Sequence, residues 1–298
     1  VFDGVEMTTT AHSGIETNGN NTNDTVTLKN STLNVPNGFG IYFPSSGKLT
    51  LDNSTVTAKT MGVQVCAGSL SINEGSAVMV TGDAVPKTEN DGAIQDGAAI
   101  SIVNRTGYKG LGKIEVTGGT FTAKADSAIK AYDWENNTNT ESDFTASEKV
   151  AVSGGTFSSA VPENCCAVGY VPVKNSDGTY GVKAGKYVAE VNGKKYETLQ
   201  EAIAAAERNS TVKLIADTRE NVTINKALTL DLNGFTLNGG TVKGTPTLKI
   251  DTARVTVMDS SAVQTGTIMR EDTAENSGVS SHYVIDIQGK NALLTFNS

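Results

Sequence analysis

The chain reads as an all-β protein, a right-handed parallel β-helix with three strands per coil and one short capping α-helix. Three observations predict this. A unit recurs with its corner residues and threonines in register: VTLKNSTL at 26–33, LTLDNSTV at 49–56, IEVTGGTF at 114–121 and VAVSGGTF at 150–157. Each copy alternates apolar and polar residues and then turns on Asn-Ser or Gly-Gly, as a strand does before a corner. After each corner a second short strand follows, and then a third announced by a small residue, as in GIYF at 40–43, GVQV at 62–65, AAISIV at 98–103 and SAIKAY at 127–132. Finally, 6% aromatic and 19% charged residues suit a repetitive β-protein with a narrow, ladder-packed core.

The first strand of each coil recurs at Val26, Leu49, Leu70, Ile114 and Val150, so successive coils are 23, 21, 44 and 36 residues long. The two long coils therefore carry insertions. Residues 83–96 leave between the second and third strands, whereas 103–112 and 133–148 leave between a third strand and the next first strand. The last two insertions are expected to stack as neighbours on one edge. From 161 to 186 the pattern stops, and YVPVK-NSDG-TYGVK at 170–183 reads as a hairpin that covers an exposed solenoid end. Another hairpin then turns on Asn192-Gly193. TLQEAIAAAERN at 198–209 predicts a helix, with Thr198 as cap, Glu201 completing a capping box, and Leu199, Ala202, Ile203 and Ala206 on one apolar face. It precedes a new series of strands, as a lid precedes a first coil.

The expected organisation is therefore C-terminal coils of one β-helix over 1–160, a closing hairpin and linker over 161–186, and a capping helix with the first coils of a second β-helix over 187–298. Both chain ends read as cut. LLTFNS at 293–298 matches the first part of LTLDNSTV, and Val1-Phe2 is expected to supply the remainder. Joining Ser298 to Val1 within one molecule means crossing on the order of nine coils at about 4.8 Å each. The few residues between hairpin and lid reach only about 13 Å. Two alternatives remain: a piece excised from a tandem array, or a subunit that stacks head to tail into filaments.

KKYETLQEAIAAAERNSTVKLIADTRENVTINKALTLDLNGFTLNG (194–239) and VSGGTFSSAVPENCCAVGYVPVKNSDGTYGV (152–182) resemble tandem modules in large surface proteins of Gram-positive gut bacteria. Those modules look like right-handed β-helices of the pectate-lyase-like superfamily. The resemblance covers most of 150–298, and the GGTF and NSTL coils extend it more loosely over 26–160. It implies a secreted, cell-surface, stalk-like or adhesive protein, with no catalytic residues to carry over.

Charge and composition narrow the partners. With a net charge of −8 and scattered Lys and Arg, the chain offers no basic stripe for nucleic acid or an anionic membrane. No apolar run approaches the roughly 20 residues of a membrane span. Three cysteines make no disulfide framework: Cys66 falls in a strand as a small core residue, and Cys165-Cys166 leaves a vicinal or intermolecular bridge as the alternative.

Enzymes of this architecture need Asp/Glu clusters for Ca²⁺ with a basic residue, or paired carboxylates at a set separation. Here Asp133, Glu135, Glu141 and Asp143 share one insertion and Asp83, Glu89, Asp91 and Asp96 another, but loops rich in Asn and Thr fix no geometry. They read as solvated faces, with Ca²⁺ the one cofactor left open. His12 and His282 stand alone and read as surface residues. The single tryptophan, Trp134, follows Tyr132 and Asp133, precedes Glu135, and is expected near Arg105 and Tyr108. Aromatic faces beside polar groups suit sugar rings, so these six residues form the candidate ligand-binding edge; the alternative is that Trp134 pins its own loop. The expected function is a non-catalytic stalk or adhesion module of a bacterial surface protein. The alternatives are a carbohydrate-binding or polysaccharide-processing β-helix, with a glycan or host surface as partner, and a filament subunit associating through its terminal coils.

Overall fold

A computed structural model describes residues 1–19, 22–86, 92–273 and 282–297. The chain divides into two compact units, Val1–Ala184 and Gly185–Ser298. In the first unit it visits three sheets in rotation. The first sheet collects Phe2–Asp3, Thr25–Lys29, Lys48–Asp52, Gly68–Ile72, Leu111–Val116 and Val150–Val152, each parallel to the next. The second collects strands from Glu6–Thr8 to Thr156–Phe157, and the third strands from Ser13–Glu16 to Ile129–Glu135. None of the three sheets closes on itself.

Register follows the repeat. Val26, Leu49, Leu70, Ile114 and Val150 are direct partners down the first sheet, and Leu33, Val56, Val78, Phe121 and Phe157 down the second. Apart from Val26, which is only partly buried, these rows lie inside the main core. Burying each such side chain contributes about 1.5–3 kcal/mol.

The two corner types have different causes. In the Asn-Ser corners, Asn30 and Asn53 adopt left-handed φ of 48° and 46°, which Asn tolerates better than most residues. Their amides form a ladder, Asn53 Nδ2 donating to Asn30 Oδ1 at 2.8 Å. The buried serines that follow link one pass to the next, Ser31 N donating to Ser54 Oγ at 3.1 Å and Ser54 N to Ser76 Oγ at 3.4 Å. In the Gly-Gly corners, Gly119 and Gly155 reach φ of 108° and 106°. A Cβ on Gly119 would meet the Phe121 ring at 2.9 Å, and one on Gly155 would meet the same ring at 3.0 Å. Phe121 and Phe157 stack with centroids 4.8 Å apart, so a phenylalanine inside this corner requires glycine above it.

Phe2 pairs with Leu28 and Asp3 with Lys29, while Gly4 takes the left-handed corner position that Asn30 occupies one pass on. Val1 thus leads into the first-sheet strand Phe2–Asp3, before a corner, where the sequence predicts Val1-Phe2 after the corner opened by 293–298; Ser298 lies outside the described residues. The hairpin Tyr170–Lys174/Tyr180–Ala184 extends the second sheet antiparallel, and its outermost strand contains Pro172, which has no N–H to offer an incoming strand.

The second unit begins with the hairpin Ala189–Val191/Lys194–Tyr196, turning on Asn192 (φ 51°) and Gly193 (φ 74°). The helix Leu199–Ala205 buries Leu199, Ala202 and Ile203 against the first strands. Thr198 Oγ1 caps it by accepting from Glu201 N at 3.1 Å. Glu220, from a later loop, accepts from Leu199 N at 2.8 Å and Gln200 N at 3.2 Å, satisfying two more first-turn donors. Three parallel sheets follow, with rows such as Val212–Leu230–Val257, which is interior throughout, and Ile224–Ile250–Ile287, whose first two members are buried and whose last is exposed. No helix among the described residues is long and apolar enough to cross a membrane.

Candidate functional site

The third sheet of the first unit carries apolar side chains on both faces. Its inner row, Ile41–Val63–Ile100–Ile129, belongs to the main core. Its outer face holds a second cluster that includes Phe39, Tyr42, Met61, Val103, Tyr132 and Trp134, with Ile94 and Tyr108 packed over it. Such a face stays dry only if something covers it, and Ala93 and Ile94, near the end of the 83–96 insertion, pack on it to do so.

Polar residues strap that cover down. Gln64 Nε2 donates to the Ile94 carbonyl at 2.7 Å while its Oε1 accepts from Ile94 N at 2.8 Å, so one amide side chain satisfies both backbone groups of a buried residue. Asp96 Oδ2 accepts from Ser101 Oγ at 2.6 Å and Tyr132 Oη at 2.8 Å, and Oδ1 from Ala98 N at 3.1 Å. Burial raises the Asp96 carboxyl above the usual carboxylate range against the pull of those donors. Of its expected acidic neighbours, Asp83 pairs with Lys124 at 3.3 Å, while Glu89 and Asp91 lie outside the described residues.

The six candidate residues separate into three roles. Arg105 and Tyr108 meet at the outer face: the guanidinium lies 5.1 Å from the Tyr108 ring centroid. Arg105 Nη1 donates to Tyr42 Oη at 3.0 Å and to the Gly92 carbonyl at 2.6 Å, and Nε donates to Asn136 Oδ1 at 2.6 Å. The Tyr42 and Tyr108 hydroxyls are 2.9 Å apart. Tyr132 and Trp134 are 3% and 6% exposed, rings edge to face at 6.3 Å, so neither offers a face to a ligand. Trp134 is the register partner of Arg105, and the cover that encloses it comes from a segment about 40 residues earlier, at 92–96. Asp133 and Glu135 hold the 133–148 insertion: Asp133 Oδ1 accepts from Asn104 Nδ2 and Thr145 N, both at 3.1 Å, and Glu135 Oε2 from Thr106 Oγ1 at 3.0 Å.

Beside Arg105 opens a cleft of about 780 Å³. Its walls are Glu16–Gly19, Tyr42, Pro44, Gly92, Thr106–Tyr108, Asn136 and Asn137, drawn from four passes of the chain. Asn136 is held at both ends, since its Nδ2 donates to the Thr106 carbonyl at 2.9 Å. The sequence pointed to Arg105 and Tyr108 here but not to Tyr42, Glu16 or Asn136. The available signal was Tyr42 and Gln64, large polar residues at matching positions in two otherwise apolar third strands.

Reactive groups near the cleft are neutral. Burial pushes the Cys66 thiol up to about 12, and it raises the Tyr42 and Tyr132 phenols as well. Cys165 is pushed up to about 12 and Cys166 to about 11 by burial, and all three thiols are free. Among the described residues, no three His, Cys, Asp or Glu side chains are grouped to hold a metal ion. His12 is exposed, with Nε2 3.2 Å from Gln95 Nε2, but His282 departs from the surface reading: its side chain is 7% exposed and packs 2.9 Å from Arg270 Nε. No protein family, curated protein or solved structure matches this chain.

Proposed function

We propose that this chain is a non-catalytic scaffold, a stretch of right-handed parallel β-helix that serves as a stalk or adhesion module of a secreted bacterial surface protein. The observation that carries the reading is the rotation of the chain through three parallel sheets with stacked apolar rows such as Ile41–Val63–Ile100–Ile129 and Ile224–Ile250–Ile287. Such a stack transmits load well, because parting two paired strands breaks a row of backbone hydrogen bonds together. Acidic and aromatic side chains that an enzyme would direct at a substrate are occupied in holding insertions. The likeness of 152–182 and 194–239 to tandem surface-protein modules points the same way.

Pulling the chain between its ends in a force spectrometer tests the load-bearing role. The expected trace has abrupt, high-force cooperative events, one set for each unit; smooth extension at low force would sink the stalk reading. Protease shaving of intact source cells tests location, with peptides of this chain expected before lysis and their appearance only after lysis counting against it.

Adhesion requires a ligand, and the cleft supports saccharide recognition as a second reading. It combines the half-buried Tyr108 ring with amides and hydroxyls, the pairing that the apolar C–H faces and hydroxyls of a sugar require.

A further inference from the structure

We infer that the cleft beside Arg105 selects uncharged saccharides and turns away uronic acids, an inference that rests on the recognition reading above. Size and shape come first. At about 780 Å³ the cleft falls within the range of ligand pockets, roughly 300–1,000 Å³. Its walls are held by contacts already in place: Tyr42 and Tyr108 are joined through their hydroxyls, and Asn136 is bonded to Arg105 and to the Thr106 carbonyl. A ligand therefore finds much of the site in position and leaves little ordering to be done on binding.

Charge then sets the class. The described lining residues include one carboxylate, Glu16, which is exposed, and no lysine or arginine. Arg105, beside the cleft, is 3% exposed and donates to Tyr42, the Gly92 carbonyl and Asn136. Its charge serves the wall. A uronate entering the cleft would exchange water for a second carboxylate, without a bidentate cation to receive it. A neutral sugar meets no such opposition.

The test uses the full chain and three probe sets of matched length: neutral gluco-, manno- and galacto-oligosaccharides, chitosan oligosaccharides, and oligogalacturonates. Calorimetry reads affinity, and the emission of Trp134, the single tryptophan, reads events at the neighbouring wall. At least one neutral oligosaccharide is expected to bind tenfold or more tighter than the oligogalacturonate. Glu16→Gln is expected to narrow that ratio. Tyr108→Ala is expected to weaken the neutral ligand by tenfold or more, and Asn137→Ala, at an exposed wall position that leaves the fold intact, by several-fold. Oligogalacturonate binding as tightly as the neutral sugars, or a ratio indifferent to Glu16→Gln, overturns the class while leaving saccharide recognition standing. Binding of none of the probes by the folded chain removes the recognition reading and this inference together.

Discussion

The inner and outer faces of the third sheet are made by the same strands, yet they are built on different principles. Inside, Ile41, Val63, Ile100 and Ile129 stack like on like, and any residue of similar volume would continue the row. One position outward in the same register, the row reads Tyr42, Gln64, Ser101 and Lys130. No two of these are alike, and each finds a different partner beyond the row, Arg105 for Tyr42, Ile94 for Gln64, Asp96 for Ser101 and Asp126 for Lys130 at 2.7 Å, with Gln64 also donating to Ser101 and Lys130 to the Asp96 carbonyl, both at 2.9 Å. Repetition builds a core, while the outer face is specified one residue at a time.

The contrast can be broken most forcefully from within. Ile100→Ala removes a fully buried side chain from a row that cannot collapse without disturbing both neighbours, and is expected to cost about 2–5 kcal/mol in urea unfolding. A loss under 1 kcal/mol would mean that the interior row is not the main support of the unit. Gln64→Leu keeps the volume but strands the N–H and C=O of Ile94, at an expected cost of about 1–3 kcal/mol. That loss should appear as faster amide exchange at 92–96 and altered Trp134 emission, with protection of the inner strands retained. Equal loosening of both faces would show them to be one cooperative unit.

A third change acts through pH. Because burial raises the Asp96 carboxyl, the native state keeps a proton that the unfolded chain has already released. Its contribution is therefore greatest at low pH and declines as pH climbs from the ordinary carboxylate value of 3.8 through the raised native value. Asp96→Asn, which does not titrate, is expected to flatten that part of the stability profile, which for a single proton has a slope of at most about 1.4 kcal/mol per pH unit. An identical profile in the variant would remove Asp96 as its source. The smallest effect is expected at Lys124→Ala, which breaks the exposed pair with Asp83 and should change stability by about 0.5 kcal/mol or less. A larger loss would show that the start of the covering segment is anchored there as well.

The two faces also differed in how far they could be read from the chain. The inner rows were legible because a strand period of two, repeated with its corner words, aligns residues that later prove to be partners, as Leu49 and Leu70 do. The Thr198 cap was legible because its partner lies three residues away. Its supplement, Glu220, was not, since nothing local distinguishes one loop carboxylate from another. The outer face hid for the same reason. Gln64 and Ile94 are thirty residues apart, and the insertion 83–96 carries only Ala84, Val85, Ala93 and Ile94, with Pro86, as apolar residues in no strand-like alternation. Trp134 read as a ring that either pins its own loop or faces a sugar, and nothing local showed that Ala93 and Ile94 from an earlier pass help to enclose it.

The glycine that admits Phe121 and Phe157 has a consequence for how such a chain changes over time. Neither half of Gly-Gly-Thr-Phe is freely replaceable: an added Cβ strikes the ring, and a smaller core residue leaves a void beneath an unusually bent corner. A pass can change kind without a clash only in one order, glycine before phenylalanine, and Gly75-Ser76-Ala77-Val78 stands part-way, with a left-handed Gly75 in the place of Asn53 and a Val78 that pairs with Phe121. In a lineage that lengthens by copying passes, the geometry therefore sets a direction of change: the bend is relieved of its side chain first, and the large ring arrives beneath it last.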